Sequence, residues 1–209
     1  MRRATGMLGV VALGTLLGSL LSAQSAPALR DGEVPVRIAT SFGNIDIAVD
    51  VEHAPITSNN FLRYVDAKKY DGATFYRLTR PDTYVPAPPN RPMMNIIQGG
   101  LQYTKGVEAF PPIPLERTSV TGLKHVAGTV SMARQGPDTA TSEFFILLDD
   151  QPSLDFGGKR FDDAQGAAAF GHVLSGLDVV RTIQQQGPMQ ENNKQYLATP
   201  IPIASIRRR

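Results

Sequence analysis

The side chains that most often carry chemistry are few and scattered in this chain. Its three histidines, His53, His125 and His172, lie far apart, with no His-Glu-x-x-His pair and no serine elbow beside them. No metal site and no Ser-His triad follow from such spacing. There is no cysteine, so thiol nucleophiles, disulfides and Cys-based metal sites are excluded. What remains is chemistry by fixed donors and a shaped surface. Thr139-Ala140-Thr141-Ser142 offers hydroxyls and backbone groups, one residue ahead of the aromatic run Phe144-Phe145. That combination suits a groove for an extended peptide. Arg77 stands in Thr74-Phe75-Tyr76-Arg77-Leu78, and Gln98 precedes two glycines. An arginine on a strand is ordinarily solvated, so Arg77 acquires a role only from its context.

The elements that must position these residues are short strands. His125 to Ile146 reads as strand, turn, strand: Thr129–Ala133, then Gln135-Gly136-Pro137-Asp138, then Phe144–Leu148. Val36 and Ile38, then Ile45, Ile47 and Val49, alternate around Ser41-Phe42-Gly43-Asn44 and predict a hairpin. Ala54 to Lys68 predicts a helix with Pro55 in its first turn, Thr57 or Ser58 as cap, and Phe61, Leu62 and Val65 on one face. A second helix is expected at Gly176–Ile183, with Leu177, Val180 and Ile183 together. Ile201, Ile203 and Ile206 supply a closing strand.

These segments resemble the cyclophilin family of peptidyl-prolyl isomerases. Gly128-Thr129-Val130-Ser131-Met132-Ala133, Gly136-Pro137 and Ser142-Glu143-Phe144-Phe145-Ile146 are similar to the family's G-x-x-S-M-A, G-P and S-Q-F-F-I. Thr40–Ile45 resembles T-S-x-G-x-I, Pro55–Phe61 resembles P-x-T-x-x-N-F, and Tyr70-Asp71-Gly72 resembles Y-D-G. Phe75-Tyr76-Arg77 falls on F-H-R, and Gln98-Gly99-Gly100 on Q-G-G. Glu116 stands where the family has an acidic residue before L-x-H-x-x-G, here Leu123–Gly128. Ala169–Val173 and Gly176–Val180 resemble V-F-G-x-V and G-M-x-V-V.

The resemblance implies a mainly β fold: a closed antiparallel eight-stranded barrel capped by two helices, over residues 34–207. It implies isomerisation of X-Pro bonds in unfolded or extended polypeptides, without cofactor or metal. The X-Pro amide turns slowly because its barrier is about 18–20 kcal/mol, yet no covalent bond has to break. A guanidinium, always charged and rich in rigid donors, can favour the twisted amide over the planar one. About 7 kcal/mol of such preference gives roughly 10⁵-fold acceleration. Carried over by motif, Arg77 is the catalytic donor and Gln98 holds the substrate backbone or orients the arginine. Phe145 floors the proline pocket. Ile96, Leu154 and Asn95 fall at pocket positions, and Ala133 and Arg134 line the backbone groove. His125 is expected to be a hydrogen-bonded structural residue.

Several positions depart from the pattern. Glu143 replaces the usual Gln, Asn95-Ile96 replaces Phe-Met, Ser153 replaces a frequent Trp, and Ala167 a frequent His. The pocket is therefore expected to be less aromatic, with Met93, Met94 or Tyr84 as compensating residues, and to bind cyclosporin weakly. Twenty residues, Leu78 to Ile97, separate Arg77 from Gln98, many more than the family uses. They hold a proline-rich insertion at 79–94, and a second insertion follows at 156–167. The alternative is a peptide-binding or chaperone module that keeps the fold without turnover, with Asn95, Ser153 and Ala167 in its favour.

Residues 1–25 read as a signal peptide. Arg2-Arg3 precede an uncharged apolar run, Met7 to Leu21, and then small residues. That run of 15 residues is short for a membrane span of roughly 20. Export to a periplasm or beyond is expected, with no membrane insertion after cleavage. Without Arg2 and Arg3 the chain carries 19 basic and 19 acidic residues. A balanced charge predicts no nucleic-acid partner, and Arg207-Arg208-Arg209 reads as a solvated tail. A monomer is expected.

Overall fold

The computed structural model describes Met1 and residues 27–83 and 91–209. The expected signal segment, Met1 aside, and Tyr84 with the rest of residues 84–90 lie outside the described residues.

Eight strands close into one antiparallel barrel: β1 (Glu33–Thr40), β2 (Gly43–Asp50), β3 (Thr74–Thr79), β4 (Ile96–Gly100), β5 (Thr129–Met132), β6 (Phe144–Leu147), β7 (Ala168–Ser175) and β8 (Tyr196–Arg208). Their order around the barrel is β1-β2-β7-β5-β6-β4-β3-β8. The β1–β2 hairpin turns on Ser41-Phe42 alone. Gly43 and Asn44 already pair with Thr40 and Ala39. Thr40 closes the turn, its hydroxyl donating to the Gly43 carbonyl and accepting from the Phe42 N–H. Alternation does what the sequence predicts: Val36, Ile38, Ile45, Ile47 and Val49 all fill the barrel interior.

Helix α1 (Pro55–Asp66) plugs one end. Its Phe61 ring meets Phe170 at 5.1 Å and Phe144 at 5.4 Å between centroids, the latter edge to face. The expected side-chain cap from Thr57 or Ser58 is not made. Ser58 Oγ donates instead to the Asp50 carbonyl. The first-turn N–H groups are satisfied by a remote carboxylate, Glu116, which accepts from Ile56 at 3.0 Å and Thr57 at 2.6 Å. Helix α3 (Leu177–Gln184) buries Val180 and Ile183, with Leu177 packed beside them. Between these two lies a single-turn helix, α2 (Thr118–Thr121), which the apolar pattern does not announce.

The closing strand is longer than expected. It begins at Tyr196 and runs through Arg208. The arginines at its end are not a solvated tail. Arg207 pairs with Asp71, Arg208 with Asp66 and Arg209 with Asp46.

Candidate active site

The register of the barrel builds the site. Arg77 on β3 lies opposite Gln98 on β4, Gln98 opposite Phe145 on β6, and Phe145 opposite Ser131 on β5. The row runs across four neighbouring strands on the outer face of the barrel. Ile96, Phe145 and Leu147 form an apolar cluster there, while Ile97, Phe144 and Ile146 point into the interior. Arg77 reaches the outer face because β3 carries a bulge at Tyr76. Phe75 pairs with Gly99 and Arg77 with Gln98, leaving Tyr76 as the extra residue. Phe75 and Leu78 therefore both belong to the interior, with Tyr76 and Arg77 between them on the groove side.

A hydrogen-bonded network holds the arginine. Arg77 Nη1 donates to Gln98 Oε1 at 2.9 Å, and Nε and Nη2 donate to Gln195 Oε1 at 3.2 and 2.7 Å. Gln98 Nε2 donates to the Tyr76 hydroxyl at 2.8 Å. That hydroxyl donates to Glu143 Oε2 at 2.6 Å. Burial pushes the Glu143 carboxyl above its ordinary range, against the hydrogen bonds it accepts from Tyr76, Ser142, Leu101 and Gln102. Burial and the neighbouring Glu143 push the Tyr76 phenol far up as well.

Beside this network lies a groove of about 470 Å³. Its apolar part is lined by Met94, Ile96, Ala133, Phe145, Leu154 and Phe161, with Leu147 and Ala167 buried behind them in the same cluster. Thr139 and Thr141 line the polar part. A charged, immobilised donor thus stands one side chain away from an apolar floor.

The chain matches the family model for cyclophilin type peptidyl-prolyl cis-trans isomerase over residues 35–208. It belongs to the cyclophilins. It is 35% identical to peptidyl-prolyl cis-trans isomerase A of Dickeya dadantii, over 72% of this chain and 70% of that one. Identity to an Acinetobacter baylyi peptidyl-prolyl cis-trans isomerase is 37%, over 80% and 79% of the two chains. A solved cyclophilin type isomerase of Cryptosporidium parvum shares the fold, with a TM-score of 0.64 at 22% identity over 85% of this chain and 98% of that one. The protein is a peptidyl-prolyl cis-trans isomerase, and proline-containing peptides are its substrates.

Of the residues assigned by motif, Arg77, Gln98, Phe145, Ile96, Ala133, Arg134 and Leu154 all line the one groove of this cyclophilin. Asn95 does not. Its amide faces the other way, donating to Asp149 and accepting from Gln184. Strand alternation gives the reason: Met94, Ile96 and Gln98 share the groove side, and position 95 falls on the opposite one. Arg134 lines the groove with its guanidinium already committed, to Asp163 by two bonds of 2.8 Å and to the Gly166 carbonyl. His125 is buried between Asp155 at 2.7 Å and Ser131 at 3.0 Å, beneath the Phe145 ring.

Three site residues are not legible in the motifs. Met94 was one of the expected compensations for the lost aromatics and is part of the apolar cluster, whereas Met93 is exposed. The aromatic wall comes from Phe161, inside the second insertion, where it is one of two aromatics in a polar, glycine-rich stretch and nothing in the sequence separates it from the exposed Phe156. Gln195 has no sequence signal at all. Its neighbour Tyr196 lies opposite Arg77 in the β3–β8 ladder and also lines the groove.

Proposed function

We propose that Arg77 is the donor that favours the twisted prolyl amide in this cyclophilin. Gln98 fixes the guanidinium and offers its amide to the substrate backbone. Phe145, with Ile96, Met94, Leu154 and Phe161, receives the proline ring, and Ala133 lines the path of the flanking backbone. The supporting observation is the Arg77–Gln98–Phe145 row, which sets an ion-like donor beside an apolar floor at the spacing of adjacent strands. Because Gln195 and Gln98 already orient the guanidinium, little reorganisation is needed when the amide twists.

The test is the exchange rate of a short Ala-Pro peptide by NMR. Ala-Pro is also the dipeptide present with one solved structure of the Cryptosporidium parvum isomerase. The intact protein is expected to accelerate exchange, and Arg77→Ala to lose most of that acceleration while still binding the peptide. Full activity in Arg77→Ala would remove the arginine from the mechanism.

The polypeptides acted on are proposed to be exported chains, met in unfolded or extended form outside the cytoplasm. The support is Arg2-Arg3, the uncharged run Met7 to Leu21 and the small residues after it. N-terminal sequencing of protein from the extracytoplasmic fraction tests this, with a new terminus expected near Ala23 or Ser25.

A further inference from the structure

Two of the departures from the family pattern touch each other. Tyr76 stands at the His of F-H-R, Glu143 at the Gln of S-Q-F-F-I, and the Tyr76 hydroxyl donates to the Glu143 carboxylate. We propose that Glu143 is a positioning residue: through Tyr76 it decides which end of the Gln98 amide faces Arg77. The proposal rests on the role given to Arg77 above.

The direction of every bond in the relay follows from its end. Glu143 Oε1 accepts from the backbone N–H groups of Leu101 at 2.7 Å and Gln102 at 3.1 Å, and from Ser142 Oγ at 3.0 Å. Oε2 is left for Tyr76. A carboxylate can only accept, so the phenol proton must point toward Glu143. Tyr76 is fully buried, and its oxygen bonds to Glu143 and Gln98 among the described residues. With its proton spent, that oxygen can only accept from Gln98, which turns Nε2 to Tyr76 and Oε1 to Arg77. Two donors never face each other in this arrangement. The backbone makes room for the carboxylate: a Cβ on Gly100 would lie 2.5 Å from Glu143 Cδ and Oε2. The second glycine of the Gln98-Gly99-Gly100 motif therefore serves Glu143 directly.

The relay makes an isosteric change informative. In Glu143→Gln the amide oxygen must stay with the two backbone N–H groups, which cannot reverse. The new NH₂ then faces Tyr76 and donates to it. The buried phenol proton has one acceptor left, Gln98 Oε1. Gln98 turns over and presents Nε2 to Arg77 Nη1, donor against donor. In Tyr76→Phe the messenger is gone, and Arg77 alone holds Gln98 Oε1 toward itself.

The experiment measures kcat and KM on an Ala-Pro peptide, together with nuclear Overhauser contacts of the Gln98 side-chain amide, in Glu143→Gln, Tyr76→Phe, the double variant and Arg77→Ala/Glu143→Gln. Glu143→Gln is expected to lose about tenfold in kcat, the scale of one hydrogen bond to a charged group, with KM nearly unchanged. Its Gln98 NH₂ contacts move from the Tyr76 ring toward Arg77. In the Tyr76→Phe background the same change is expected to cost less than about twofold, since the coupling is carried by Tyr76. In the Arg77→Ala background it adds no loss. Glu143→Leu, whose side chain has no acceptor, also leaves the phenol proton only Gln98; it should repeat the loss and serves if Glu143→Gln does not fold. Wild-type kcat in Glu143→Gln, or an equal loss with and without Tyr76, overturns the proposal. Full activity in Arg77→Ala sinks the arginine reading instead, and unmoved Gln98 contacts in Glu143→Gln sink the relay alone.

Discussion

The Arg134 guanidinium lies over the Phe161 ring, 3.9 Å from its centroid. This stack closes the side of the pocket that the chain would otherwise leave open. Arg134 is held from below by Asp163 and the Gly166 carbonyl, so the insertion at 156–167 brings both the aromatic wall and the anchor for its partner. Arg91, at the end of the first insertion, bonds both carboxylate oxygens of Asp162 at 2.9 Å. The two insertions meet beside the pocket. Phe161→Ala is expected to raise KM for an Ala-Pro peptide about five- to tenfold, or ~1–1.4 kcal/mol, the combined worth of a cation–π contact and some apolar cover. The value of kcat should change little, because the ring touches bound and twisted proline alike. An unchanged KM would make the stack purely structural.

Ser153 falls where the family pattern frequently has a Trp, and the same insertion folds onto it. The Arg160 N–H donates to the Ser153 carbonyl at 3.0 Å. A Cβ on Gly158 would lie 2.3 Å from that oxygen, so only glycine lets the loop approach so closely. A serine under a loop offers cyclosporin no broad aromatic face. Titration calorimetry is expected to find a Kd weaker than about 1 μM, a binding free energy smaller than ~8.2 kcal/mol in magnitude. Sub-micromolar binding would overturn this expectation.

Glu116 acts as a cap delivered from another part of the chain, about sixty residues from the helix it closes. Glu116→Ala leaves the Ile56 and Thr57 N–H groups without that partner. The expected loss is about 1–2 kcal/mol in unfolding free energy, the scale of a lost N-cap, read from urea midpoints. The value of kcat/KM should stay at the wild-type level, because α1 plugs the barrel end and does not line the groove.

Glu116 also marks where sequence reasoning stops. Alternation and motif order locate the strands, both longer helices and the Arg77–Gln98–Phe145 row, because each depends on local pattern plus register. A cap from a remote loop leaves no local pattern, and with Pro55 opening the helix Thr57 and Ser58 already lie inside its first turn, past the position from which a side chain caps. The bulge at Tyr76 is equally silent, since it is set by how β3 meets β4 and β8 together. Asn95 was within reach: its parity relative to Gln98 already assigns it to the face away from the groove. Phe161 and Gln195 are brought in by chain reversals that no periodicity records.

Asp46 joins the barrel at the seam of four segments. It accepts two bonds from Arg37 on β1, at 2.7 and 2.9 Å, one from Arg209 after β8 at 2.9 Å, and one from Ser175 on β7 at 3.2 Å. The hydrogen bond from Arg37 is the main force holding its carboxyl below the ordinary range. Arg209 adds to it, against a burial effect of opposite sign. A depressed native pKa means that the unfolded chain binds the proton more readily. The contribution to stability is therefore complete above the unfolded value of about 3.9 and fades as pH falls through the lower native one. Asp46→Asn should be less stable than wild type at pH 7, and the gap between their urea midpoints should narrow steadily below about pH 4. A gap that persists undiminished at pH 2 would mean that Asp46 acts through its shape and hydrogen-bond count, with its charge contributing nothing. The same measurement bears on the arginines that end β8. If Arg209 shares in the seam, Arg209→Ala should reproduce part of the pH 7 loss, and the loss should vanish over the same acidic range.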